Sequence, residues 1–222
     1  MANVIVVDTG VVNIKNILRG LVQVGCNPQC SEDPDQVALA EKLVLPGVGA
    51  FGAAMAVLRS KSLDDAIRYA TVRGSRVLGI CLGMQLLMET SAENGTHVGL
   101  GLIPGRVVPI PSSKNEAGQA IRKVPHIGWN ALNKAGECSS WSGSVLQGLP
   151  AGVYCYFVHS FMAEVEKRNT VLAEADYLGL PIASAITYEN ISGVQFHPER
   201  SGPVGLELLR LFGRFNCGHE CQ

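Results

Sequence analysis

Short apolar runs rich in β-branched residues alternate with segments of helical periodicity through the first part of the chain. The helical segments carry apolar residues three and four positions apart, as on the buried face of a helix, and Asn13 is the expected N-cap of the first one. Strands that alternate with helices form a parallel sheet with helical crossovers. The predicted strands are 3–8, 41–47 and 76–80, and the predicted helices are 13–24, 51–59 and 62–73.

The second half of the chain lacks this alternation. Strand-like segments follow one another through short turns, and "ENIS" (189–192) is the predicted loop of a hairpin. A polar segment at 111–123 predicts a surface loop, and a last helix is predicted at 203–215. The predicted strands are 152–161, 170–177 and 181–196. The expected fold class is therefore α/β, with a mostly parallel central sheet flanked by helices and an added antiparallel part in the C-terminal half.

Length and composition predict a single domain spanning residues 1–222. Hydrophobic residues make up 47% of the chain and charged residues 17%, which is typical of globular proteins and excludes disorder. The formal net charge of -1 gives no reason to expect binding to nucleic acid or to a membrane. Signal-peptide features and a membrane-length apolar run of ~20 residues are both missing. With 7 irregularly placed cysteines, the chain is predicted to be a cytoplasmic protein with reduced thiols.

The segment "GICLG" (79–83) places one cysteine between two glycines, where a predicted strand turns into a predicted helix. Gly-x-Cys-x-Gly after a strand has the form of a nucleophile elbow, a sharp turn that holds the nucleophile in a strained backbone conformation. Gly79 and Gly83 lack the β-carbons that would collide in such a turn. Backbone N–H groups near Leu82 would favour a charged sulfur and could hold an oxyanion. The alternative for Cys81 is a buried structural cysteine.

A base for this cysteine is predicted in "GVQFHPERSG", where His197 follows a strand. Pro198 restricts His197 to an extended conformation. In an extended chain residues i and i+2 lie on the same side, so Glu199 can reach the imidazole nitrogen that faces away from Cys81. Cys81 is then the candidate nucleophile, His197 the base and Glu199 the residue that orients it. The alternative is a histidine in a turn beside a surface glutamate.

The C-terminal segment "NCGHECQ" contains Cys217, His219 and Cys221. These three potential ligands alternate with other residues, a spacing that does not match known zinc sites. The sequence therefore predicts neither a metal site nor a cofactor.

The motifs "GICLGMQ" and "HPE" resemble those of the class I, or triad, glutamine amidotransferases. The segments "LPGVGAFG", "VPHIGWN", "YFVHSF" and "QFHPERSG" are similar to the glutaminase subunits of imidazole glycerol phosphate synthase, from histidine biosynthesis. The motifs occur in the same order and cover essentially the whole chain. The resemblance implies the flavodoxin-like α/β fold of this superfamily.

The resemblance also implies a mechanism. Cys81 would attack the side-chain amide of L-glutamine, and His197 would protonate the departing ammonia. The same histidine would activate the water that hydrolyses the thioester. Gln85, one helical turn after Cys81, would contact the bound glutamine together with Leu82. The alternative for Gln85 is an ordinary polar residue of a helix.

The segment "PGVGAFG" (46–52) would form the other wall of the oxyanion hole, at Val48 and Gly49. Many relatives have Pro-Gly-Gly where this chain has Pro-Gly-Val-Gly. A β-branched residue disfavours positive φ, so the peptide between Val48 and Gly49 is not free to turn its N–H inward. We expect a hole that is incomplete at rest, and very low glutaminase activity of the isolated chain. The alternative is that Val48 merely packs against the elbow.

By resemblance, the ammonia is used by a separate cyclase with a (β/α)8 barrel, which makes imidazole glycerol phosphate and aminoimidazole carboxamide ribotide. The implied contact residues in this heterodimer are Asn13, Asn16, Trp129 and Arg200. Arg200 stands where the family usually has lysine. The arginine keeps the positive charge but has a bulkier, planar side chain. The first loop is usually glycine-rich, and here it reads "DTGVVN".

Two further histidines are expected to have structural roles. His159 in "YFVHSF" is predicted to be hydrogen-bonded near the site. His126 in "VPHIGW" is predicted to support a loop that carries Trp129.

Three alternative functions remain open on the sequence. A freestanding cysteine hydrolase of γ-glutamyl compounds would need a complete oxyanion hole. A paralogous amidotransferase could supply ammonia to another synthase, for instance in surface-sugar biosynthesis. A non-catalytic regulatory module is disfavoured, since Cys81, His197 and Glu199 are all present.

Overall fold

The structure is a computed structural model that describes residues 2–10, 14–114, 120–136 and 138–214. Its α-helices are α1 (Ile14–Gln23), α2 (Pro34–Leu39), α3 (Phe51–Ser60), α4 (Leu63–Val72), α5 (Leu82–Leu86) and α6 (Gly202–Arg214). Its strands are β1 (Ala2–Val7), β2 (Cys26–Ser31), β3 (Lys42–Gly47), β4 (Arg76–Cys81), β5 (Met88–Ser91), β6 (His97–Val98), β7 (Ile103–Pro109), β8 (Ser113–Lys114), β9 (Ala120–Arg122), β10 (His126–Lys134), β11 (Val153–His159), β12 (Phe161–Val165), β13 (Val171–Asp176), β14 (Pro181–Tyr188) and β15 (Ile191–Val194).

A nine-stranded sheet forms the centre of the molecule, in the order β11-β10-β13-β14-β15-β4-β3-β1-β2. The strands from β15 to β2 pair in parallel, and those from β11 to β15 pair antiparallel. The predicted fold class, a mostly parallel sheet with an antiparallel C-terminal part, is therefore confirmed.

The core lies on both faces of this sheet. Alternate residues of β1 and β3 belong to different clusters, because successive side chains of a strand point to opposite faces. On one face Leu43 and Leu45 pack with residues of α3 and α4. On the other face Val44 packs with residues of α1 and α6. Among the described residues, no helix combines the length and apolar character needed to cross a membrane.

A smaller sheet, β12-β7-β5-β6, lies beside the central one. The segment 152–161, predicted as one strand, is two: β11 ends at His159 and β12 begins at Phe161. This bend carries the chain from one sheet to the other, since β11 pairs with β10 and β12 pairs with β7.

Three predictions about loops differ from the structure. The segment 111–123 contains the short β8–β9 hairpin, so its prediction as a loop is wrong in part. The hairpin loop predicted over 189–192 is shorter, because Tyr188 already pairs with Ile191. Trp129 lies on strand β10 and not on a loop, since its backbone pairs with Tyr156 of β11. The first-helix cap Asn13 and the segment 215–222 lie outside the described residues.

The carboxyl ends of β3, β4 and β15 meet at one edge of the central sheet. Gly47 at the end of β3 pairs with Cys81 at the end of β4, and Val194 at the end of β15 pairs with Ile80. His197 follows β15 by three residues. In open α/β sheets, ligands bind at such an edge.

Candidate active site

Cys81 joins β4 to α5 in a backbone conformation that L residues rarely adopt, with φ 54° and ψ -110°. The glycines of the elbow permit the close packing around it. A Cβ on Gly83 would lie 1.7 Å from the carbonyl oxygen of Leu45, and one on Gly79 would lie 2.8 Å from the Gly83 backbone. Side chains at either position would force the strand and the helix apart, so the predicted strained turn is present.

The helix that follows is shorter than the apolar pattern suggests. It begins at Leu82, as predicted, but ends at Leu86, and the chain continues into β5 from Met88. A five-residue helix has little macrodipole, so the helix as a whole contributes little to the charge of the sulfur.

His197 and Glu199 have the predicted arrangement. His197 is extended, with φ -100° and ψ 98°. Its Nδ1 lies 2.8 Å from Oε1 of Glu199, and both side chains are almost fully buried. Nε2 of His197 has no hydrogen-bond partner of regular geometry, and neither has Oε2 of Glu199. Nε2 is therefore the ring nitrogen left to interact with Cys81.

The pKa of His197 reflects this arrangement. Burial alone lowers the pKa, but hydrogen bonding to Cys81 and Glu199 and the negative charge on both outweigh burial and raise it to about 10. The imidazole is therefore protonated at neutral pH. The contact with Cys81 contributes to this shift although it lacks regular hydrogen-bond geometry, as is common in catalytic sites without substrate.

A cavity of about 320 Å³ opens beside the sulfur. This volume is at the lower end for ligand cavities, about 300–1,000 Å³, and suits a small ligand. Glu199 lies behind His197 and away from the cavity lining. The predicted site residues that line the cavity are Val48, Gly49, Cys81, Leu82, Gln85 and His197.

Val48 and Gly49 differ in conformation at the edge of this cavity. Gly49 has φ 101°, whereas Val48 does not have positive φ, in agreement with the restriction expected for a β-branched residue. Val48 is 40% exposed. Both interpretations of Val48, as the cause of an incomplete oxyanion hole and as a residue that packs against the elbow, stay predictions.

Two residues that the sequence analysis did not single out belong to the site. Gln195 is buried, accepts a hydrogen bond from Gln85, and donates to the sulfur of Cys81. It stands two residues before His197 in the segment "QFHPE", and this closeness in sequence is a signal that could have identified it. Glu93 lines the cavity and accepts from the backbone N–H of Phe51 at 2.6 Å. No local pattern marks Glu93, because its place depends on contact with α3.

His126 and His159 form a buried pair, with Nδ1 of His126 3.0 Å from Nε2 of His159. Nδ1 of His159 donates to the carbonyl of Phe161 at 2.8 Å, and His159 lines the cavity. Burial lowers the pKa of each ring to about 4. Both are therefore neutral at neutral pH, and the predicted position of His159 near the site is observed. His126 stacks on Tyr177, with ring centroids 4.0 Å apart.

The predicted contact residues that the structure describes lie on the surface. Trp129 is 55% exposed and packs edge-on against Tyr156, with ring centroids 6.1 Å apart. The Arg200 guanidinium lies over the ring of Tyr156, 4.2 Å from its centroid. Asn16 is exposed on α1, and Asn13 lies outside the described residues.

Comparison with known proteins identifies the family. The family model "Glutamine amidotransferase class-I" matches residues 5–214. The chain belongs to this family.

Curated relatives of this amidotransferase chain carry a more specific name. The "Imidazole glycerol phosphate synthase subunit HisH 1" of Legionella pneumophila (strain Lens) is 41% identical over 212 residues, 96% of this chain and 99% of the relative. The "Imidazole glycerol phosphate synthase subunit HisH" of Syntrophotalea carbinolica is 41% identical over 210 residues, 95% of this chain and 98% of the relative. The resemblance drawn from the motifs is confirmed, and this amidotransferase is an enzyme that hydrolyses glutamine.

Solved structures agree with the fold of the amidotransferase. A chain of "PurLQS from Thermotoga maritima" superposes with a TM-score of 0.70 at 20% identity, covering 96% of this chain and 98% of that one. A glutamine amidotransferase of Thermotoga maritima superposes with a TM-score of 0.60 at 16% identity, covering 89% of this chain and 76% of that one.

Proposed function

We propose that this amidotransferase is the glutaminase subunit of an imidazole glycerol phosphate synthase, with Cys81 as nucleophile, His197 as general acid and base, and Glu199 as the residue that orients His197. The observation that carries the proposal is that the strained Cys81 and His197 line one cavity, and that His197 is hydrogen-bonded to Glu199. The similarity to HisH subunits supports the choice of pathway.

The reaction proceeds through two proton transfers by one histidine. The Cys81 sulfur attacks the side-chain amide carbon of glutamine, and the carbonyl oxygen takes up the negative charge. As the C–N bond breaks, protonated His197 delivers its proton to the nitrogen, and ammonia leaves. Neutral His197 then takes a proton from water, whose oxygen attacks the thioester carbon. The C–S bond breaks, glutamate leaves, and the sulfur and the protonated imidazole are restored.

The cavity offers complementary groups for glutamine. The amide of Gln85 and the backbone at Leu82 lie beside Cys81 and line the same space. Glu93 places a carboxylate at the cavity, and we propose that this carboxylate binds the positively charged α-ammonium group of the substrate.

The oxyanion hole is completed by a conformational step at Val48 and Gly49. Because Val48 lacks positive φ, the peptide that joins it to Gly49 must rotate before its N–H faces the substrate oxygen. One hole donor contributes about 10²–10³ in rate. The isolated chain should therefore hydrolyse glutamine very slowly.

The ammonia passes to a separate cyclase with a (β/α)8 barrel, which makes imidazole glycerol phosphate and aminoimidazole carboxamide ribotide. The cyclase docks against Asn13, Asn16, Trp129 and Arg200. Exposed aromatic and arginine side chains are common anchors of protein interfaces, and Trp129 and Arg200 flank the same Tyr156 ring. We further propose that residues 1–222 form one domain that acts in the cytoplasm.

The test is to mix the chain with a barrel cyclase and its nucleotide substrate, and to measure glutamate release and cyclase product. Both should appear, with glutamate release rising by about 10²-fold or more over the isolated chain. Cys81→Ala should abolish both, and added ammonium salt should restore only the cyclase product.

Two results would decide against the proposal. Full glutaminase activity of the chain alone would favour the freestanding hydrolase. Stimulation by a different synthase, and not by the cyclase, would favour the paralogous pathway.

A further inference from the structure

We propose that Gln195 is a further residue of the catalytic site, whose side-chain amide donates to the Cys81 sulfur and stabilises its charged form. This inference rests on the proposed function, in which that sulfur is the nucleophile. Nε2 of Gln195 lies 3.7 Å from Sγ of Cys81, and Gln195 is 0% exposed. A buried amide in contact with the reacting atom is thus available without competition from solvent.

A backbone carbonyl determines which end of the Gln195 amide faces the sulfur. Nε2 of Gln85 donates to the carbonyl of Phe161 at 3.0 Å and to Oε1 of Gln195 at 2.9 Å. A carbonyl only accepts, so the amino group of Gln85 must be the end that faces Phe161. Its second N–H then requires an oxygen from Gln195. The amino group of Gln195 is left on the side of Cys81, and the hydrogen-bond network fixes this assignment.

The backbone holds Gln195 in the position that this contact requires. Its N–H donates to the carbonyl of Ser184 at 2.9 Å, which ties the segment after β15 to β14. His197 follows two residues later, where its own N–H donates to the carbonyl of Tyr156 at 2.9 Å. These two backbone hydrogen bonds fix the segment after β15 on both sides, and from it both side chains reach Cys81.

The neighbours of the sulfur favour different protonation states. Sγ of Cys81 lies 3.8 Å from the carbonyl oxygen of Val158, which accepts the proton of a neutral thiol and repels a charged sulfur. The Gln195 amide can only donate to sulfur, so it favours the charged form. It neither gains nor loses a proton during the cycle. The Gln195 amide therefore stabilises the negative charge on the sulfur when the C–S bond of the thioester breaks. At that step His197 is changing its own charge.

Two substitutions separate this role from simple packing. Gln195→Met keeps the volume but removes both hydrogen bonds. Gln195→Glu keeps the volume and the bond from Gln85, but replaces the donor beside the sulfur with a carboxylate. A packing role predicts that the glutamate variant is the milder one. A donor role predicts the reverse, because a negative charge then lies next to the sulfur.

The measurement is the rate of alkylation of the full chain by iodoacetamide between about pH 5 and 9, followed for each cysteine by peptide mass spectrometry. Cys81 should react about tenfold more slowly in Gln195→Met at neutral pH, as expected for one hydrogen bond to a charged group. Gln195→Glu should react more slowly still, and its pH of half-maximal alkylation should move upward. Where Gln195→Met fails to fold, Gln195→Glu carries the comparison.

Two controls accompany the series. Cys30 is an exposed residue, but partial desolvation of its thiol and the adjacent Asp8 carboxylate raise its pKa to about 11. Its slow alkylation should therefore be the same in every variant. Gln147→Met removes an exposed glutamine whose Oε1 accepts from Gly143, and should leave the alkylation of Cys81 unchanged.

The outcomes distinguish this inference from the proposed function. If Cys81 reacts rapidly in the wild type and equally rapidly in both variants, Gln195 has no such role and the nucleophile assignment stands. If Gln195→Glu reacts faster than Gln195→Met, a packing role replaces the donor role. If wild-type Cys81 reacts no faster than Cys30, the nucleophile itself is refuted, and this inference with it.

Discussion

The backbone of Gly83 lies against the carbonyl oxygen of Leu45, so that a Cβ on Gly83 would be 1.7 Å from that oxygen. This contact joins the helix after Cys81 to strand β3 and holds the elbow closed. Both partners are backbone atoms, so neither can move away as a side chain could.

Gly83→Ala should therefore destabilise the protein by about 3 kcal/mol or more in urea unfolding. Gly136→Ala is the control, since a Cβ there would meet nothing within 4 Å. Equal stability of the two variants would contradict the close packing of the elbow.

Glu199→Gln should lower glutamine turnover in the complex by about 10³–10⁴-fold, because the neutral amide no longer orients and stabilises protonated His197. NMR titration should show the pKa of His197 falling from its value of about 10. Glu207→Gln removes only a half-buried ion pair with Arg210 on α6 and should change neither quantity. An unchanged His197 titration would refute the role of Glu199.

Val48→Gly should raise the glutaminase rate of the isolated chain by up to about 10²-fold, because glycine lets the following peptide turn its N–H toward the substrate. Val72→Gly is the control. It makes the same change at an exposed valine at the end of α4, which does not line the cavity, and should leave the rate unchanged. If Val48→Gly hydrolyses glutamine at the wild-type rate, Val48 is not the residue that keeps the oxyanion hole incomplete.

Acid should destabilise the protein through His126 and His159. The folded-state pKa of each is about 4, below the ordinary 6.5. The unfolded state therefore binds more protons, and stability is lost as pH falls from 6.5 to about 4. His126→Phe keeps an aromatic ring against Tyr177 but cannot titrate, so urea unfolding should show a weaker loss over this window, by on the order of 1–3 kcal/mol. An unchanged acid dependence would place its cause in other groups.

Trp129→Ala should weaken binding to the cyclase by about 2 kcal/mol or more, as for an aromatic residue at the centre of an interface. Thermal stability should hardly change, since the side chain is 55% exposed. Tyr69→Ala, at a 57% exposed residue of α4, is the matched control. Calorimetric titration with the cyclase measures the affinity of each variant. Equal affinities of Trp129→Ala and Tyr69→Ala would exclude β10 from the interface.

Much of the fold follows from local sequence. The apolar runs at β1, β3 and β4 and the amphipathic segments beside them were sufficient to predict these three parallel strands. The edge strand β2 was missed, because its sequence CNPQCS is mostly polar. Strand β10 was missed, because its burial alternates weakly and several of its residues stay exposed. Its identity as a strand depends on pairing with β11 and β13, which are distant in the chain.

For the site, the sequence by itself determined the elements that are encoded within a few residues. The glycines around Cys81 mark a turn that other residues would block, and the two-residue spacing of His197 and Glu199 suits an extended chain. The tertiary structure alone decided which distant groups reach the sulfur. Gln195 lies 114 positions from Cys81, and Glu93 lies 42 positions from Phe51. Such contacts depend on strand order and packing, which bring together side chains whose local sequences carry no sign of each other.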